Sequence, residues 1–262
     1  MDVHIVGLGN LGSAFLNGLK DLQVNIDIYL YDDSKHVRQS LQENYELSSN
    51  KSLTEITEGV LLLCIKPQNI KEFFDTYKDK IAKDVLICSP VAGLEINTIG
   101  KYLDNNVLRI MPNLLIKDKT SFIPFASNYE GDYLNFIKNI LENLGTVKEV
   151  DESMFAIVTA LSGSGPAWFY ELSNQLVNAG IDLGLSLQDS ELIIKELIKA
   201  LPALVNEDET FKDLVNKVKS PGGTTEAGLN SLNDASFDTI ILEAIQKATQ
   251  RSTEISKELD NE

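Results

Sequence analysis

Six residues, Gly7-Leu8-Gly9-Asn10-Leu11-Gly12, do most to limit what this chain can become. They follow directly on Asp2–Val6, which reads as a short buried strand. They lead into Ser13–Leu22, where Ala14, Phe15, Gly18, Leu19 and Leu22 recur at helical spacing. Each glycine of the G-x-G-x-x-G interval has a steric purpose. Gly7 allows a tight turn, Gly9 lets a pyrophosphate approach the backbone, and Gly12 lets helix and strand pack closely. A second strand pattern, Ile26–Tyr31, ends at Asp32, 20 residues beyond Gly12. An acidic side chain at that place accepts the ribose hydroxyls of NAD. Asp33 would repel a 2′-phosphate while Lys35, His36 and Arg38 soften that repulsion, so the pattern leans to NADH over NADPH. The alternative for Asp32 and Asp33 is a solvated turn.

Further strand-like runs fall at Val60–Ile65, Val85–Ser89, Val107–Met111, Ser121–Phe125 and Thr146–Val150. Helix-like segments such as Asn69–Ile81 and Tyr133–Leu144 lie between several of them. That alternation predicts an α/β, doubly wound, mostly parallel sheet of the Rossmann type. Ligands of such sheets bind beyond the carboxyl ends of the strands, which places Lys66–Pro67 and Pro90–Gly93 at a cofactor crevice. Lys66 would reach a phosphate or ribose there.

Beyond Asp151 the strand signal stops, so the expected division is a nucleotide-binding domain over 1–151 and a helical domain over 152–262. Helical patterns run over Gly165–Ala179, Leu187–Val205, Thr210–Val218, Glu226–Leu232 and Phe237–Leu259. Trp168, Leu172, Leu176 and Ala179 form a core stripe, and Ile193, Leu197 and Leu201 form another apolar face. Pro202 is expected to kink or end its helix, and the charged Ser252–Glu262 tail to fray. So small a helical domain with so many apolar side chains predicts packing against a second copy of the chain.

Two small-residue loops interrupt the helical half, Leu161–Ala167 (LSGSGPA) and Lys219–Gly228 (KSPGGTTEAG). Gly222 and Gly223 let backbone approach a ligand closely. A helix opening behind them leaves N–H groups unpaired, ready to grip an anion. Ser220, Thr224 and Thr225 add hydroxyls. A polar turn with an N-cap is the plainer reading.

The net charge of −16 argues against nucleic acid or an anionic membrane surface as partner. The longest apolar run, Val60–Ile65, is far short of the roughly 18 residues a membrane span needs. Met1–Asp2 passes straight into a strand, so no signal peptide is expected and a cytoplasmic location is. Cys64 and Cys88 read as reduced core thiols, not a disulfide or metal site. His4 reads as a satisfied structural residue and His36 as a surface one.

With these segments in place, the chain resembles the pyrroline-5-carboxylate reductase family. AIVTALSGSGPAWFYEL and KSPGGTTEAGL are similar to its two signature regions, and VGLGNLGSA, CIKPQ, PVAGLEI and RIMPN occur in the family's order. The resemblance covers essentially the whole chain. It implies an NAD(P)H-binding N-terminal domain, an all-α dimerisation domain interlaced with its twin, an active site at the subunit interface, and reduction of the cyclic imino acid Δ1-pyrroline-5-carboxylate to L-proline. By motif it assigns the hydroxyl of Thr225 to the imine nitrogen. Ser220, Gly223, Thr224 and Thr225 would take the substrate carboxylate, and Glu152 would lie close to the substrate. Gly7 to Gly12, Asp32, Asn50, Lys66 and Ala92 fall at cofactor contacts.

Departures from the pattern stand at Asp33, at Leu114-Leu115 where Thr-Pro is usual, at Ala156, at Lys217 and at Pro202. They keep open a paralogue acting on another cyclic imino acid, or a silent NAD(P)-binding regulatory protein. A β-hydroxyacid dehydrogenase would carry a lysine on the first helix of the second domain, and Gly165–Gly184 contains none.

Overall fold

The computed structural model describes residues 2–20, 26–45, 50, 52–205 and 208–261, with the side chains of residues 20 and 41–45 left aside. The end of the expected first helix, Leu22, lies outside the described residues.

The chain divides into two compact units, residues 1–164 with 247–262, and residues 165–246. In the first unit, strand β1 (Asp2–Val6) leads to helix α1 (Asn10–Lys20), then β2 (Asp27–Tyr31), α2 (Lys35–Tyr45), β3 (Val60–Leu63) and α3 (Ile70–Tyr77). The chain continues through β4 (Leu86–Ser89), the short α4 (Ile96–Ile99), β5 (Val107–Ile110), β6 (Ser121–Ser127), α5 (Asp132–Glu142), β7 (Gly145–Glu149) and α6 (Phe155–Val158). The helix expected over Asn69–Ile81 is thus shorter. A 3-10 turn at Pro67–Asn69 precedes it and another at Lys78–Lys80 closes it.

All seven strands form one sheet in the order β2-β1-β3-β4-β5-β6-β7. Every neighbouring pair is parallel except β5 and β6. Strands β3, β4 and β5 are buried along their whole length, because helices cover both faces of a parallel sheet. Alternate residues divide between two cores. Ile5, Leu62, Cys88 and Leu108 pack with Phe15 and Ile137 on one face. Val6, Leu61, Leu63 and Ile87 pack with Phe74 on the other. The strand order reverses between β1 and β3, and it is there that a doubly wound sheet opens its ligand crevice.

The second unit holds α7 (Gly165–Asp182), α8 (Leu187–Ala200), α9 (Phe211–Val218), α10 (Thr224–Asp234) and most of α11 (Phe237–Asp260). Pro202 does end α8, and the chain leaves it through a 3-10 turn over Leu201–Leu204. Thr210 opens α9 with a capping box to Asp213.

Two expectations need correction. The C-terminal segment does not fray. Helix α11 continues to Asp260, Leu259 is buried in the second core with Ile255 packed beside it, and Lys101 Nζ lies 2.7 Å from Asp260 Oδ1. The supposed core stripe of α7 is open: Trp168, Leu172 and Leu176 are exposed within the single chain. The compact units themselves meet at Ser164/Gly165, with residues 247–262 in the first.

Candidate active site

The glycine turn is built as its spacing demands. Gly7 adopts φ +86, where a side chain would be strained and would also strike the Cys64 carbonyl. Gly12 lies against the Gly7 carbonyl, so a Cβ there would force α1 off β1. Around Gly9 the space is open, which leaves the backbone at the start of α1 approachable. The turn is pinned from the neighbouring strand: Gly7 N–H donates to Tyr31 O at 2.9 Å and Leu8 N–H to Asp32 Oδ2 at 2.7 Å. Ser13 Oγ donates to Leu8 O at 2.7 Å. With α1 beginning at Asn10, the first-turn N–H groups of Asn10, Leu11 and Gly12 precede any intrahelical bond and point a partial positive charge toward the crevice.

A cavity of about 290 Å³ opens beside this turn, lined among others by Gly7, Asp32, Asp33, Leu53, Ile65 and Phe73. The lining mixes apolar side chains with acids, a composition that suits an adenosine, and Asp32 at its edge also accepts Ser34 N–H on Oδ1 at 2.8 Å. Glu72 also lines this cavity, and it was not singled out in the sequence. Arg38 Nη1 donates to Asp32 O at 2.6 Å. Asn50 sits next to Asp32, accepting its N–H at 3.0 Å and donating its own to Leu30 O at 2.9 Å. Lys66 is exposed just beyond β3, ahead of the 3-10 turn. The residues present therefore fit a dinucleotide.

Ala92 and Glu152 belong to a second cluster at the carboxyl ends of β4 and β5. Glu152 Oε1 accepts two hydrogen bonds at 2.9 Å, from Ile96 N–H at the start of α4 and from Arg109 Nη1 on β5. Arg109 is 3% exposed and its guanidinium lies 4.5 Å over the Phe155 ring, which packs with Met111 and Ala92. Its Nε has no hydrogen-bond partner. One carboxylate oxygen thus ties the start of α4 to strand β5. Arg109 escaped the sequence reading because a lone arginine in an apolar run reads as a strand residue; that isolation was itself the available signal.

Next along the chain, Asn113 Oδ1 accepts Leu115 N–H at 3.0 Å and Asn113 Nδ2 donates to Ser162 O at 3.1 Å. The MPN loop and the LSGSGPA loop are brought together by this asparagine. Thr159–Gly163 makes a π-helical turn, a form common at functional sites, and Gly163 faces the Met111 side chain. Leu114 and Leu115 form a 3-10 turn with the Leu114 side chain exposed.

In the second unit, Gly223 caps α10 and its N–H donates to Ser220 O at 3.0 Å. Gly222 takes φ +69, and its N–H donates to Glu226 Oε2 at 2.7 Å. The first helical bond of α10 runs from Ala227 N–H to Gly223 O, so the N–H groups of Thr224, Thr225 and Glu226 stand at the helix opening. Ser220 and Thr224 are exposed and Thr225 half-buried. Of the loop residues expected to hold an anion, Gly223 has its N–H turned inward while Thr224 and Thr225 keep theirs at the opening. Lys217 is paired with Glu209 at 2.6 Å. Elsewhere, His4 is held at 3.2 Å from the Tyr31 hydroxyl and burial lowers its pKa, whereas His36 is exposed. Cys64 and Cys88 are free thiols whose pKa burial raises, so they stay protonated.

Residues 152–255 match the family described as pyrroline-5-carboxylate reductase dimerisation, and residues 2–93 match NADP oxidoreductase, coenzyme F420-dependent. Pyrroline-5-carboxylate reductase 2 of Bacillus subtilis is 32% identical, over 98% of this chain and 95% of its own. The pyrroline-5-carboxylate reductase of Staphylococcus haemolyticus is 32% identical with all of both chains covered. Among solved structures, a Plasmodium falciparum pyrroline carboxylate reductase with NADP bound superposes at TM-score 0.83 and 26% identity, covering 98% of this chain and 100% of the other. The Streptococcus pyogenes enzyme superposes at TM-score 0.84 and 25% identity, covering 97% and 98%.

Proposed function

The chain belongs to the pyrroline-5-carboxylate reductase family, and we propose on that premise that it reduces Δ1-pyrroline-5-carboxylate to L-proline with NAD(P)H, the last step of proline biosynthesis. The observation that carries the reading is the Lys219–Gly223 loop, which opens α10 with the N–H groups of Thr224 and Thr225 at its start. These donors, with Ser220 and Gly223 shaping the loop, suit a carboxylate. The nicotinamide, when bound, supplies the hydride to the imine carbon. The imine nitrogen reacts in its protonated form, so hydride addition at carbon yields the amine directly, and the protein has only to hold the ring and the iminium. The Thr225 hydroxyl fills that role by hydrogen-bonding the nitrogen, and no histidine is needed.

Asp32 and Asp33 support NADH over NADPH, since a 2′-phosphate would meet carboxylates beside the cavity. Glu152 belongs near the substrate by motif, and its two bonds at 2.9 Å give it a holding task on the loops around it. The exposed apolar faces of the second unit support a homodimer or an assembly of dimers. Among the described residues no helix is long and apolar enough to cross a membrane. We place the reaction in the cytoplasm, where reduced nicotinamide is supplied.

The test is Thr225→Ala. L-proline formation from pyrroline-5-carboxylate should fall roughly ten- to a thousandfold, the scale of one positioned polar group, with nucleotide affinity retained. Undiminished turnover would remove Thr225 from the chemistry.

A further inference from the structure

The loop assigned to the substrate carboxylate already holds a carboxylate of its own. Glu226, in the first turn of α10, reaches back so that Oε2 accepts the Gly222 N–H at 2.7 Å, while Oε1 stands 3.8 Å from Lys219 Nζ. Both side chains are about one-third exposed, at 39% for Lys219 and 33% for Glu226. An acid at the third position of a helix is a familiar cap, and it complements the helix dipole. Here, though, it has two consequences for an arriving anion. It takes the N–H that the left-handed Gly222 contributes to the loop, and it pairs with the cation closest to it. The substrate carboxylate is left with uncharged donors on Thr224 and Thr225, beside a fixed negative charge.

We propose that Glu226 is a specificity-determining residue of this site: an internal anion that competes with the substrate's carboxylate for the loop. It raises KM for carboxylated cyclic imines relative to the same ring without the carboxylate. This rests on the reading of the loop as the carboxylate site. The grip is weakened on substrate and product alike, so the rate of hydride transfer is not what Glu226 sets; uniform weakening also eases release of a product bearing the same group.

Glu226→Gln keeps an acceptor for Gly222 and removes the charge. The quantity to measure is kcat/KM for pyrroline-5-carboxylate divided by kcat/KM for 1-pyrroline, the ring lacking the carboxylate, both with NADH. The ratio should rise about three- to tenfold in the variant, the scale of one charge a few ångströms away at a half-exposed site. Because ions screen such a term, the wild-type ratio should approach that of the variant in about 0.5 M NaCl. Lys219→Gln should move the ratio the other way. An unchanged or lowered ratio in Glu226→Gln overturns the proposal, because a merely structural cap affects both imines alike. If neither imine turns over, the reductase reading fails and calorimetry with L-proline decides this inference alone. Binding three- to tenfold tighter in Glu226→Gln than in the wild type supports it, and equal affinity or no binding overturns it.

Discussion

The two compact units solve the burial problem differently. The first encloses its own core: strands β3, β4 and β5 are buried throughout, and Phe15, Phe74 and Phe155 are sealed from solvent. In the second, among the described residues, no apolar side chain is buried. Leu183 is 88% exposed, Phe211 75% and Phe169 73%. Isolated exposed apolar residues are ordinary, but faces this extensive on several helices are not. The first unit therefore carries its core within one chain, whereas the second leaves its apolar faces uncovered in the single chain. Residues 247–262 sharpen the contrast, since the same helix α11 that leaves Ile240 and Ile241 open buries Leu259.

The largest predicted effect tests the second unit. Leu172→Glu with Leu176→Glu places two charges on the open face of α7 and should yield a 29 kDa monomer by sedimentation equilibrium. Turnover should fall by roughly a hundredfold or more, because fold and association are one equilibrium in such domains. An active monomer would break the contrast. Next comes the charge pair in the first unit. Glu152→Ala strands the Arg109 guanidinium in an interior site and should cost about 2–4 kcal/mol in urea unfolding, the upper range being blunted by water at the partly exposed Glu152. Arg109→Met with Glu152→Leu should recover much of that loss; a double variant as unstable as the single would mean the charge is not the cause. The smallest effect concerns His4. Burial lowers its folded pKa below the unfolded value of 6.5, so the unfolded chain binds a proton that the folded chain refuses. Stability should be full above pH 6.5 and decline as pH falls through the folded value, and His4→Gln should flatten that decline.

How much of this was legible in the chain depended on sequence distance. The parallel sheet could be read because an apolar run such as Val60–Leu63, bounded by turns, has few other uses. The Gly7–Gly12 turn was legible because its constraint is local and steric. Arg109 was not, since its partner Glu152 lies 43 residues away and no pattern links them. The C-terminal tail misled because Lys257, Glu258 and Asp260 look solvated, while Ile255 and Leu259, four residues apart, face the core. The stripe on α7 was correctly seen as apolar, but periodicity does not say which chain covers it. Glu226 sat inside a recognised motif and passed as filler, because its bond to Gly222 depends on a left-handed turn.

The central claim is that this chain is a reductase of pyrroline-5-carboxylate that requires a reduced nicotinamide. Initial rates of NADH and NADPH oxidation by the intact protein with pyrroline-5-carboxylate test it most directly. Turnover with both substrate and cofactor required, and with NADH the better donor, is the predicted result. A protein that binds the nucleotide yet oxidises neither form in the presence of the imine would contradict it.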